Sequence, residues 1–176
     1  MNISMDLLKA LSIKRRVFVS YHHGADQSYY DNFSVLFSDI YDLVKDNSLD
    51  RIIDSYDTDY VMRRIRENYI SGTSCTIILC GQETFKRKYV DWEIKASLDK
   101  GHAVIGVSLP NIFIDFKGAR VIPDRLHDNL ISGYIEMIDW NELVTNPHLL
   151  KASIEKVNIK SKWLINNSRE LKKING

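Results

Sequence analysis

Apolar residues along this chain follow two alternating rhythms. Short continuous runs bounded by turn residues alternate with longer stretches in which apolar positions recur every three or four residues. "RRVFVSY", residues 15–21, is β-branched and aromatic with no helical period, and it runs into the turn chemistry of "HHGADQS". That reads as a buried strand followed by a loop. Residues 29–45 show helical spacing, with Phe33, Leu36, Phe37, Ile40, Leu43 and Val44 on one stripe. "RIIDSYD", residues 51–57, reads as a short strand or edge segment. Thr58 can cap a helix over 59–71 with Val61, Met62, Ile65 and Tyr69 inward, ending at Gly72. "SCTIILCG", residues 74–81, has the unbroken apolar character of a strand buried on both faces. "FKRKYVDWEIKASLDKG" follows as a helix closed by Gly101, and "HAVIGVSL", residues 102–109, is a further buried strand. The span from Pro110 to Gly133 shows no clear period. "YIEMIDW", residues 134–140, predicts a last strand, and residues 147–173 predict one long helix or two shorter ones.

Strands alternating with helices predict an α/β fold, a mostly parallel sheet with helices on both faces. In such sheets ligands bind beyond the carboxyl ends of the strands, near the point where the strand order reverses. The residues after each strand are therefore the ones to inspect. A length of 176 residues fits one domain, with a core over about 15–140 and a helical extension over about 147–173. Charge is balanced, 24 basic against 23 acidic residues, so net charge points to no partner. It is uneven locally: residues 39–59 hold seven Asp, and residues 150–176 hold seven Lys and Arg. Solvated faces are the plain reading of both; an acidic partner surface or nucleic acid is the alternative for the basic segment. Trp163 is the one aromatic of the basic segment, thin support for base stacking, so nucleic acid is not an expected partner.

Cys75 and Cys80 lie five apart on one strand and point to opposite faces, which suits neither a disulfide nor a metal pair. Two packed thiols fit a cytoplasmic protein. "MNISMDLLKALSIKRR" lacks the charge-then-apolar order of a secretory leader, and no apolar run reaches the roughly 20 residues that span a bilayer. There is no G-x-G-x-x-G, no G-x-x-x-x-G-K-[ST] and no G-x-S-x-G. His22 and His23 are adjacent rather than four apart, so no metal site is expected.

What remains is one acid beside aromatic residues. Val90, Ile94 and Leu98 form the stripe that docks the third predicted helix on the sheet, and Tyr89 and Glu93 share its flank. An acid in the early turns of a helix also complements the macrodipole, so the residues alone leave a chemical and a structural role for Glu93 both open.

The run from "KRRVFVSYHHGAD" through "TSCTIILCGQETFKRKYVDWEIKASLDKGHAVIGVSL" resembles TIR-like domains, and most of all the ThsB group of the bacterial Thoeris anti-phage system. The specific part is Thr84 to Ile94: Thr-Phe, a basic pair, then aromatic-Val-x-x-Glu-Ile. The resemblance implies a flavodoxin-like three-layer sandwich. It further implies cleavage of NAD+ at the nicotinamide–ribose bond by one helix glutamate, which falls on Glu93. NAD+ is then a substrate, and no cofactor is implied. Relatives make a cyclic ADP-ribose isomer that reaches a separate effector. A phage component as trigger and self-association through TIR surfaces follow as expected partnerships, with no membrane. The family often has Trp four positions before the glutamate; this chain has Tyr89 there and Trp92 directly before the acid. The expected substrate neighbours are Tyr89 and Trp92, with Phe18, Ser20, Tyr21 and His22 at the first strand end, and Asp54 and Tyr56 after the second. Loop capping and packing are their alternative roles. A non-enzymatic TIR-like assembly module and a plain NAD+ hydrolase remain open as alternatives.

Overall fold

The computed structural model describes residues 14–45 and 57–176. Five strands, β1 (Arg15–Ser20), β2 (Tyr41–Lys45), β3 (Cys75–Cys80), β4 (Ala103–Ser108) and β5 (Glu136–Asp139), form one sheet. Their order is β2-β1-β3-β4-β5 and every neighbouring pair is parallel. This is the flavodoxin-like α/β order. Winding reverses between β1 and β3, and Ser20 at the end of β1 stands in register with Ile78 of β3. A ligand crevice is expected there, at the carboxyl edge.

Among the described residues, six α-helices connect and cover the sheet: α1 (His23–Phe37), α2 (Thr58–Ile65), α3 (Lys88–Asp99), α4 (Asp124–Ile131), α5 (Trp140–Thr145) and α6 (His148–Asn158). β1 shows how one strand serves two layers. Val17 and Val19 join a cluster with Phe33 and Phe37 of α1, whereas Phe18 joins Val61 and Ile65 of α2 and Trp92 and Ala96 of α3. Successive side chains point to opposite faces, so a β-branched and aromatic run with both faces covered is what this position demands. β3 and β4 are buried at every residue, as their unbroken apolar runs predict. Among the described residues, no helix is long and apolar enough to cross a membrane.

The structure corrects four expectations. The helix expected over 29–45 begins earlier and stops at Phe37; Tyr41–Lys45 is edge strand β2, paired with β1 from Arg15↔Tyr41 to Val19↔Lys45. Ile40, Leu43 and Val44 continue the helical spacing only by coincidence, and pairing with β1 decides the backbone. Asp57, not Thr58, caps α2, its side chain accepting from the Asp59 and Tyr60 amides at 3.0 and 3.1 Å. That helix widens into a π turn, Arg66–Ile70, before Gly72 at φ +79° ends it. The unassigned span after Pro110 contains α4.

The fourth correction concerns the long helix expected over 147–173. It is α6, ending at Asn158, then a 3-10 turn (Lys162–Leu164), then residues 165–176 with no regular structure. "NNSRE" has no apolar stripe; Asn167 Nδ2 donates to the Lys95 carbonyl at 3.1 Å, and Asn166 Oδ1 accepts from the Ser168 hydroxyl at 3.0 Å. The basic residues here meet acids of the same chain: Lys156 and Lys160 reach Glu136, and Arg169 reaches Asp128 at 2.8 Å. Residues 1–13, most of the strand expected over 51–57, and both Asp54 and Tyr56 lie outside the described residues.

Candidate active site

α3 owes its position to three sets of contacts. Val90, Ile94 and Leu98, the expected stripe, are all buried in the main core. Full burial of each such side chain contributes about 1.5–3 kcal/mol. The Ser97 hydroxyl donates to the Glu93 carbonyl at 2.8 Å and lies 2.7 Å from the Thr76 hydroxyl of β3, pinning the middle of the helix to the sheet. Gly101, at φ +66°, turns the chain out of the helix into β4.

This docking carries Glu93 to the carboxyl end of β1. The Glu93 side chain is buried, and the Ser20 hydroxyl, itself buried, donates to its Oε2. Residues 73 positions apart are thereby joined at the point where the strand order reverses. A carboxylate that accepts a hydroxyl hydrogen bond at the rim of a sheet is held in one orientation.

The other expected residues divide by place. Phe18 is wholly buried and stacks on Tyr69, with ring centroids 5.8 Å apart. Tyr21 stacks between His23 and Tyr30 at 4.2 and 4.7 Å and donates its hydroxyl to Gln27 Oε1. His22 precedes α1, and its carbonyl accepts from the Ala25 and Asp26 amides. Tyr89 is half-buried, one turn before Glu93, and meets the Trp92 ring edge-on at 5.5 Å. Trp92 is only 5% exposed; its ring sits in the cluster with Phe18 and Ile65, and its Nε1–H donates to the Lys172 carbonyl at 2.8 Å. Ser20 thus touches the acid directly, and Trp92 packs behind it.

Two groupings have no role assigned from the sequence. Asp26, in the first turn of α1, is fully buried at the same sheet edge. It accepts from Asn111 Nδ2 at 2.9 Å and from the Thr84 hydroxyl at 3.3 Å. Gly81 is obligatory above it, because a Cβ there would lie 2.2 Å from Asp26 Oδ1. The Gly81 amide also donates to Thr84 Oγ1 at 2.8 Å, so this knot fastens the loops after β1, β3 and β4 together. Asp26, Gly81, Thr84 and Asn111 all lie just after strands, among the positions the sequence marks for inspection, but nothing in the sequence pairs them.

The second grouping is Asp91 with Arg125, whose Nε donates to Asp91 Oδ1 at 2.8 Å. Arg125 lies in α4, the helix that the sequence concealed, though Pro123 followed by an acid is a helix-start signal. A cavity of about 270 Å³ is lined by Asp91, Phe85, Asp124, Arg169 and Lys172; Glu93 does not line it. Burial pushes the thiols of Cys75 and Cys80 well above the usual range, and the nearby Asp26 adds to the effect at Cys80. Neither is therefore a thiolate nucleophile at neutral pH.

The family described as Thoeris protein ThsB, TIR-like domain, matches residues 18–112, from β1 through α3 to the loop after β4. A protein of Bacillus cereus (strain MSX-D12), named as a candidate cyclic ADP-D-ribose synthase, ThsB1, is 36% identical over 61 residues. That alignment covers 35% of this chain and 31% of the relative, so the chain matches about a third of the relative's length. The family match takes in more than half of the chain, including Ser20 and Glu93 and the strands on either side of the reversal, and the chain belongs to the ThsB TIR-like family of the Thoeris system.

Proposed function

We propose that this chain cleaves the nicotinamide–ribose bond of NAD+ and joins the remaining ADP-ribose into a cyclic messenger read by a separate effector. The observation that carries this reading is the pairing of Glu93 with Ser20 at the switch point of the sheet. Family membership and the name of the Bacillus cereus relative support it.

The chemistry asks little of the protein beyond one well-placed carboxylate. When the C–N bond breaks, its electron pair leaves with nicotinamide, which departs as a neutral base and needs no general acid. The ribose is left with oxocarbenium character, and the fixed negative charge of Glu93 stabilises it. The Ser20 hydroxyl orients that carboxylate before the substrate arrives. The half-buried Tyr89 ring, one turn away on α3, offers a face for nicotinamide and limits water. With water restricted, a nucleophile within the same ADP-ribose captures the cation, and cyclisation replaces hydrolysis. NAD+ is the substrate in this scheme, and no cofactor takes part. A phage component as trigger and assembly through TIR surfaces belong to the same proposal.

The test is nicotinamide release from NAD+ by purified protein, with and without lysate of phage-infected cells, against Glu93→Gln. Release by the native chain and its loss in Glu93→Gln support the proposal. No release under either condition would leave the chain a non-enzymatic module. Mass spectrometry of the product tests the second half: linear ADP-ribose alone would make it a plain hydrolase.

A further inference from the structure

The helix that carries Glu93 starts without a cap of its own. Arg87, at the N-cap position of α3, places no side chain on the first-turn amides. A helix start leaves such amides unsatisfied unless something else reaches them. Here residues 165–176, which form a strap across α3, do so. Asn175 Oδ1 accepts from the Lys88 amide at 2.9 Å, and the Gly176 amide donates to the Lys86 carbonyl at 3.2 Å. One turn on, the strap holds two successive residues at once. The Lys172 amide donates to Asp91 Oδ2 at 2.9 Å, and the Lys172 carbonyl accepts the Trp92 indole N–H at 2.8 Å. The anchor beneath is Arg125, fully buried. Besides Asp91, its guanidinium reaches the Glu170 carbonyl at 3.0 Å and Asn167 Oδ1 at 2.9 Å. Leu171 packs against the cluster that contains Trp92.

From these contacts we infer that the strap is part of the catalytic apparatus: Arg125, Asn175 and Trp92 are positioning residues that set the first two turns of α3, and hence the carboxylate of Glu93. Trp92 acts here through its N–H to the strap rather than by stacking on substrate. The inference rests on the proposed NAD+ chemistry for its kinetic consequence, but its structural half is measured independently. A displacement of about 1 Å in a reacting group can cost on the order of 100-fold in rate, so modest loosening of α3 is readable.

Three variants of the full chain test it, each followed by steady-state kinetics on NAD+ and by amide hydrogen exchange over Lys88–Glu93. Asn175→Ala removes a cap from outside the core; exchange in the first turn should rise about fivefold, the factor expected for a lost cap. Its kcat should fall several-fold with KM within about twofold. Trp92→Phe keeps an aromatic face but loses the N–H, and should show the same split. Arg125→Lys keeps the charge but loses the fork, and should do the same more strongly. Unchanged exchange and unchanged kcat in Asn175→Ala would overturn the inference. So would a rise in KM without a fall in kcat in Trp92→Phe, which would place the ring on the substrate. If the native chain releases no nicotinamide, the NAD+ proposal fails, and the exchange data alone decide whether the strap sets α3.

Discussion

Asp91 and Glu93 stand two residues apart on one helix, and both side chains are buried, but they serve opposite ends. Asp91 faces α4 and the strap, where the Arg125 guanidinium and the Lys172 amide meet its two oxygens. Glu93 faces β1, where the Ser20 hydroxyl meets it. A carboxylate matched by a buried guanidinium has its charge answered inside the protein and is suited to holding elements together. In the proposed reaction the carboxylate oriented by a hydroxyl is the one that meets substrate. Burial and residue type alone do not distinguish the two acids; the partner and the side of the helix do.

The contrast is sharpest when each acid is neutralised without change of shape. Asp91→Asn leaves Arg125 buried against a neutral amide, and breaking a buried pair from one side costs about 3–5 kcal/mol. Its thermal midpoint should fall by many degrees in calorimetry. Glu93→Gln should melt close to the native protein while nicotinamide release falls on the order of 10²–10³-fold. If the two variants exchange these phenotypes, the assignment of roles is wrong. Ser20→Ala probes the weaker link. A hydrogen bond to a charged group is worth about 1.5–3 kcal/mol, so kcat/KM should fall roughly 10- to 100-fold with the fold intact. Gly81→Ala offers a reference outside α3: its Cβ would collide with Asp26, an overpacking worth about 1–3 kcal/mol in chemical denaturation.

The smallest effect belongs to the far end of α3, at His102. Burial lowers its pKa from 6.5, and the nearby Lys100 and Lys162 lower it further. The unfolded chain therefore takes up this proton more readily than the folded one. Stability should fall as pH drops from about 6.5 towards the folded value and be flat above it. Comparing melts of the native chain and His102→Gln across that window isolates the contribution. Nicotinamide release corrected for folded fraction should not share it, since His102 lies at the end remote from Glu93.

β1, β3 and β4 were legible in the sequence as unbroken apolar runs between turn residues, and α3 as a periodic stripe closed by Gly101. Glu93 could be singled out by its flank position with Tyr89 and by family resemblance, and the strand order then brought Ser20 to it. β2 was hidden because "YDLVK" is a half-exposed edge whose apolar residues prolong the spacing of α1. α4 was hidden by its brevity and its mixed polarity. The strap was invisible for a different reason: its contacts are made by Asn side chains and backbone groups, which impose no period, to partners in elements far away in the chain. The pairing of Asp91 with Arg125 spans 34 positions and leaves no local signal either.

Those long spans have a kinetic consequence. The bonds from Lys172 to Trp92 and Asp91, and from Asn175 to Lys88, close loops of 80, 81 and 87 residues. Loop-closure entropy grows only slowly with length, so the cost falls on the time of assembly more than on final stability. Translation runs at about 5–20 residues per second and releases the segments of a chain in order. The sheet residues and the docking stripe of α3 leave the ribosome seconds before the strap does. A nascent chain can therefore hold its core while the first turn around Glu93 is still unfastened, and the proposed action on NAD+ would wait for residues 165–176 to emerge.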